Sequence, residues 1–256
     1  MKRDFPVISF DSIRRPGRRV DSARVATLPN PDMGSECRAP VEVATVISTW
    51  NLGLAIAAGV PLTLALTGLA FVGGGLLGGV FAWLRLQVPL NAPVRLLTDA
   101  ITATPPLVHI LWIYYALPQI VDWQPGAFTV VVLALGASTA ALMSEILRAA
   151  YEAIPAGQSR AARVLGLSPL QRLRFVLAPQ MLRNALPPAM NLFATLLKET
   201  SLAAVIAVPE VLNQGQIAAV QSFRPITVYS LVALIYFILI YPVAWMATKV
   251  ERSLAH

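Results

Sequence analysis

The chain is poor in groups that titrate. Only 13% of its 256 residues are Asp, Glu, Lys or Arg, about half the share of a soluble domain. From Val43 to Leu84 there is no ionisable residue at all. Uncharged runs of this length exclude an ordinary soluble surface and read as membrane-spanning helices. Cysteine occurs once, as Cys37, which rules out an internal disulfide and any thiolate metal cluster. Histidine occurs twice, as His109 and His256, too few for an imidazole metal site. No G-x-x-x-x-G-K-[ST] segment is present, so the chain has no phosphate-cradling loop of its own. The apolar runs also hold no convergent acid, base and nucleophile, so catalytic residues are not expected.

What the chain does contain is apolar: 56% hydrophobic residues and a mean hydropathy of +0.65. This is the composition of an all-α integral membrane protein. The net charge of +7 could suggest nucleic acid. Beyond the first forty residues, however, the basic groups cluster at the ends of apolar runs, as orientation signals do, and no nucleic-acid partner is expected.

Residues 1–40 carry many arginines among Pro and Gly without periodicity and read as a basic, disordered tail. No signal-peptide pattern follows the basic start, and Met33 is an alternative start. The break Gly59-Val60-Pro61 separates an interfacial or marginal helix within 41–58 from a transmembrane domain over 59–256. Five spans are predicted there, at about 59–84, 96–117, 127–148, 187–208 and 225–248. In the first, Gly74/Gly78 and Gly75/Gly79 form two small-xxx-small pairs suited to close helix contact. The second is interrupted at Thr104-Pro105-Pro106, either a plain kink or an irregular pathway element. The segment Pro209 to Phe223 reads as an outer connection.

The proposed inner segments hold Arg85, Arg95, Arg148, Arg160, Arg163, Arg172, Arg174, Arg183, Lys249 and Arg252. The outer ones after Gly59 hold only Arg224, so the C-terminus is expected in the cytoplasm. The basic tail then falls outside, unless it is absent, crosses despite its charge, or is returned by a sixth span over 43–58.

Two polar features stand out. Glu145 lies near the inner end of the third span, and Lys198, Glu199, Thr200 and Ser201 fall near the middle of the fourth. Ionisable groups at that depth cost about 2.5–3.5 kcal/mol on insertion scales, so they either pair between spans or face a polar pathway, beside Thr104 and Pro105. The second feature is the basic stretch 154–172. A short helix over 158–165 is predicted between Pro155/Gly157 and a C′ residue, Gly166, and Ser168-Pro169-Leu170-Gln171 has the pattern of a capping box. Ala161, Ala162 and Gly166 are small enough for close approach, with Arg160, Arg163, Arg172 and Arg174 around them. The stretch is either a solvated basic loop or a docking surface.

Gly157-Gln158-x-x-Ala161-Ala162-x-x-Leu165-Gly166, followed by Pro179-Gln180, resembles the EAA loop of ABC-importer permeases in the form found in the polar amino acid uptake family. Glu145-Ile-x-Arg148, Leu186-Pro187-Pro188-x-x-Asn191 and Lys198-Glu199-Thr200-Ser201-Leu202 resemble its flanking signatures, in order, over roughly residue 50 to the end. Four departures occur: Arg160 stands where the loop's Glu is usual, Val176-Leu177-Ala178-Pro179 stands for a closing I-x-L-P pattern, Thr102-Ala103-Thr104 replaces an Arg-Gly-Thr stretch, and Leu142 replaces a Tyr.

The resemblance implies a MetI-like permease fold with a cytoplasmic coupling loop at about 149–183. Through 154–180, including Gly157, Gln158, Arg160 and Pro179, it would meet a separate ATPase. It further implies import of a polar amino acid or derivative across a bacterial plasma (inner) membrane. The implied partners are a second permease subunit (identical or not), two ATP-binding subunits that hold ATP and Mg, an extracytoplasmic binding protein and membrane lipid. A related importer for another small polar solute, or less readily a secondary transporter, is the alternative. Matching halves, which a secondary transporter would be expected to show, are not visible.

Overall fold

The computed structural model describes residues 48–85 and 88–254. The basic tail, Met33 and Cys37 lie outside the described residues. Within them every regular element is helical. We label these α1 (Thr49–Ala57), α2 (Val60–Arg85), α3 (Val88–Ala103), α4 (Pro106–Ile120), α5 (Ala127–Glu152), α6 (Ala156–Val164), α7 (Pro169–Ile206), α8 (Val211–Ser222) and α9 (Pro225–Leu254). Among the described residues four helical segments are long and apolar enough to cross a membrane: α1–α2 together, α5, α7 and α9. The bent pair α3/α4 makes a fifth if counted as one span.

Helix α5 is the centre of the bundle. Of its most apolar 18 residues, 61% are buried, against 11% for α9, so α5 is enclosed by protein while α9 must be covered by lipid or another chain. Leu66 and Ala70 of α2, Ile110 of α4, Val130, Ala134 and Leu135 of α5 and Leu196 of α7 form one core. A second, around the α1–α2 corner, joins Leu52 and Ile56 of α1, Val211 and Ala218 of α8 and Val228 and Val232 of α9.

Close contact of α2 with α5 depends on one glycine pair. A Cβ on Gly74 would stand 2.5 Å from the Gly136 carbonyl oxygen and 2.6 Å from the Thr139 Cβ, and one on Gly78 2.7 Å from the Ala140 oxygen. The alternative pair is open: Gly79 has nothing within 4 Å and Gly75 meets only Met143, at 3.9 Å. Only Gly74/Gly78 is the packing face, and Gly75/Gly79 points away from it.

Two expected boundaries move. The second span starts earlier, and its interruption is a corner of 97° between α3 and α4. Pro105, preceding another proline, takes extended ψ 137°, and neither Pro can donate to the turn before it. The fourth span does not begin at Pro187. The helix runs from Pro169, carrying Pro187 and Pro188 in its interior. A π-type turn over Leu173–Leu177 widens the coil where the ring of Pro179 would otherwise meet the Phe175 carbonyl. In consequence Lys198–Ser201 sit toward the far end of α7, where α-helical bonding passes into a 3₁₀ segment, Thr200–Ile206, rather than at its middle.

The outer connection is also not plain loop. It holds α8, whose N-cap is the fully buried Glu210. That carboxylate accepts from the backbone of Leu212 (2.9 Å) and Asn213 (2.8 Å) and from the Tyr236 hydroxyl (2.7 Å). Burial pushes the Glu210 carboxyl above the usual carboxylate range, while these three donors pull it back. A Cβ on Gly59 would come within 2.5 Å of the Glu210 carbonyl carbon, so the α1–α2 corner seats directly on this cap.

Candidate functional site

The basic connection between α5 and α7 is built from local rules. Pro155 starts α6, and α6 ends in a Schellman arrangement: Gly166 N donates to Arg163 O at 2.9 Å and Leu167 N to Ala162 O at 3.2 Å. This requires a left-handed residue, and Gly166 has φ +73°. Ser168 then opens α7, its Oγ accepting from Gln171 N at 3.3 Å while its own N donates to Gln171 Oε1 at 2.9 Å. The capping box expected from the residues is therefore formed.

The small residues of α6 do not share one face. Ala162 is 2% exposed and packs inside the chain, whereas Ala161 and Gly166 are exposed, as are Gly157, Gln158, Arg160 and Arg163. Sequence reasoning passed over the apolar side chains beside them. Val164 (88% exposed), Leu165, Leu170 and Phe175 stand out from the same connection. Their signal was present in the sequence as apolar residues inside a basic loop. Exposed apolar side chains among arginines are the composition that protein contacts favour. Pro179 lies just past this patch, on α7.

Glu145 belongs to a different cluster from Lys198. It accepts from Arg85, 60 residues earlier in the chain, and from Arg148 Nε at 3.1 Å, and Arg148 also reaches Glu152 at 2.5 Å. The Arg85 side chain is only 5% exposed, so this pair ties the end of α2 to the end of α5. Neither Lys198 nor Glu199 makes an ion pair among the described residues. Lys198 is exposed and Glu199 partly buried, Thr200 is buried with its hydroxyl donating to Leu197 O at 2.7 Å, and Ser201 donates to Lys198 O at 2.7 Å. Thr104 likewise donates to its own helix, at Ala100 O. Thr104 and Pro105 form the α3/α4 corner, which shares no recorded polar contact with Lys198 or Glu199.

One exposed stripe of α7, between Asn184 and Lys198, is polar, whereas Leu182 and Leu186 are exposed on another side. Asn184, Asn191, Thr195 and Lys198, with Pro188 between, recur at helical spacing and are all exposed in this chain alone. Lipid does not cover such a stripe cheaply, so another protein surface or water must.

Comparison with known proteins fits this arrangement. Residues 74–256 match the family described as "Binding-protein-dependent transport system inner membrane component". The chain belongs to this family. As a permease subunit it is similar to a probable glutamine ABC transporter permease of Bacillus subtilis (strain 168), 37% identical over 183 residues that cover 69% of this chain and 82% of the relative. It superposes on a crystal structure of an amino acid ABC transporter with histidines at TM-score 0.75, with 31% identity, covering 81% of this chain and 98% of that one. A methionine ABC transporter in an inward-facing conformation shares the fold, with TM-score 0.65 and 22% identity over 78% of this chain and 96% of the other. The permease is thus a multi-pass membrane subunit of an ABC importer with the MetI-like fold. It works in a complex with ATPase and binding-protein partners. It is not an enzyme: ATP hydrolysis belongs to separate subunits, and the family carries no cofactor in this chain. A secondary transporter is excluded by the same membership.

Proposed function

We propose that this permease forms half of a two-permease pathway for a polar amino acid or a close derivative, with Lys198 and Glu199 facing that pathway. The observation that carries the reading is the exposed polar stripe from Asn184 to Lys198 on α7, which in a membrane has to meet a second permease, identical or homologous, and the water between them. A zwitterion needs both a cation and a carboxylate, and Lys198 and Glu199 supply the two signs side by side. The glutamine and histidine named for similar proteins are in keeping with such a ligand.

Two ATP-binding subunits, loading ATP with Mg, would dock on the α6 connection through Gly157, Gln158, Arg160, Ala161, Gly166 and the apolar patch beside them. Arg160 in place of the family Glu calls for an acidic counterpart on that ATPase. The excess of Arg and Lys at the α5–α7 side of the bundle supports a cytoplasmic position for this connection and the C-terminus, which would leave Gly59 outside, toward the binding protein.

The test is uptake in proteoliposomes carrying the full transporter. Lys198→Met and Glu199→Gln should each abolish uptake of a polar amino acid while assembly and basal ATP hydrolysis persist. Normal affinity and rate in both variants would sink the assignment and move selectivity to the binding protein.

A further inference from the structure

Where α2 ends and α3 begins, a cavity of about 620 Å³ opens against the last turns of α5. Its walls carry both signs of charge: Arg85, Arg95 and Arg148 against Asp99, Glu145 and Glu152. The inner part is already spent. Arg85 and Arg148 are held by Glu145, and their pairing needs no ligand. The outer part is loose: Arg95 and Asp99 lie 3.5 Å apart with side chains 69% and 56% exposed, and the Glu152 side chain is 59% exposed. Arg95 and Asp99 are held only by each other, across an exposed pair, and Glu152, which Arg148 engages at 2.5 Å through Oε1, keeps its second oxygen for a guest.

Beside this cavity runs a narrower groove, about 170 Å³, walled by Gly79, Ala82, Trp83, Leu147, Leu173 and Met181. Arg148 and Tyr151 line both spaces, so the polar cavity and the apolar groove adjoin along one wall. A soluble metabolite has no use for the groove. A phospholipid has use for both, with its head in the charged cavity and an acyl chain along α2. The position fits as well: these are the Arg-bearing ends of spanning helices, with Trp83 exposed as an interfacial aromatic.

We propose that this composite site holds one phospholipid with a phosphoethanolamine headgroup. The phosphate takes Arg95 and the free edge of Arg148, and the ammonium donates to Glu152 and Asp99. Balanced wall charges disfavour a purely anionic head, which would face three carboxylates, and choline cannot donate the hydrogen bonds that an ammonium can. The inference rests on the orientation proposed above only for which leaflet supplies the lipid, and the binding test below is blind to leaflet.

The experiment is native mass spectrometry of the delipidated transporter complex titrated with phosphatidylethanolamine or phosphatidylcholine of matched chains. The ethanolamine lipid should be retained about tenfold better, the ratio expected from hydrogen bonds to charged groups. Arg95→Ala should lower its retention about as much, and Glu152→Gln should shrink the difference between the two lipids. Gly79 lines the groove and nothing lies within 4 Å of its Cβ position, so Gly79→Leu projects a side chain into the groove from an unobstructed Cβ. It should weaken the lipid but not soluble phosphoethanolamine. Equal retention of both lipids by the wild type overturns the proposal. Unchanged retention in Gly79→Leu, or displacement of the lipid by soluble phosphoethanolamine at matched concentration, would assign the cavity to a small solute instead.

Discussion

Replacing Gly74 by Ala adds one methyl group where α2 and α5 approach most closely. The new Cβ would lie 2.5 Å from the Gly136 oxygen and 2.6 Å from the Thr139 Cβ, about 1 Å inside ordinary van der Waals distance. Both obstacles are held by α5, one of them backbone, so neither can swing aside and the two helices must part. Overpacking of this kind costs about 1–3 kcal/mol. With roughly 2–4 °C per kcal/mol for a chain of this size, the unfolding midpoint should fall by about 2–12 °C. Gly68 and Gly73 lie on the same helix with nothing within 4 Å. There Ala relieves only the backbone freedom of glycine, a gain of about 0.5–1 kcal/mol. The two kinds of variant should therefore shift in opposite directions. Thermal unfolding of the purified transporter, followed by tryptophan fluorescence, reads the difference directly. If Gly74→Ala melts with Gly73→Ala, the close approach of α2 and α5 is not real.

Gly166→Val should insert normally, because no atom lies within 4 Å of its Cβ, yet its φ of +73° is strained for a branched residue, by about 1–2 kcal/mol. Transport-linked ATP hydrolysis in proteoliposomes should drop severalfold with Val and much less with Asn, and equal rates in both would detach Gly166 from coupling. In a Cys37→Ser background, a cysteine at the exposed Gln119 should react with an impermeant thiol reagent added outside and one at Gln171 should not. The reverse pattern refutes the orientation.

How much of this was legible in the sequence depended on how local the cause was. The ends of α6 and the start of α7 are decided by residues three to five apart, Ala162 to Leu167 and Ser168 to Gln171, so they could be read directly. Which of two glycine pairs faces α5 could not, since both satisfy the spacing and only the tertiary contact at Gly136 and Ala140 separates them. The Arg85–Glu145 pair was out of reach for the same reason, although both residues were visible as lone charges at span ends. Helix α8 was missed because Asn213-Gln214-Gly215 looks like loop. Gly215 is there for Val232, whose Cγ2 would stand 2.4 Å from a Cβ, and the cap is an unusual Glu held by a tyrosine from α9. At α7 the prolines misled: in water Pro187-Pro188 would end a helix, but the helices packed around it let this one run through.

The interlock of Gly74 and Gly78 with α5 also bears on how the importer moves. Helices meshed backbone to backbone cannot slide by a fraction of a turn without collision, and the Arg85–Glu145 pair pins the same two helices at one end. α2 and α5 are thus bound to travel as a single stave through the transport cycle. Alternating access then has to be produced where no such mesh exists: at the 97° corner between α3 and α4, and along the outer face of α7. If the ATPase docks on α6 as proposed, its stroke would enter the stave through Glu152 and leave it at the α1–α2 corner, so the far side of the membrane would feel the swing of a lever rather than the stretching of a spring.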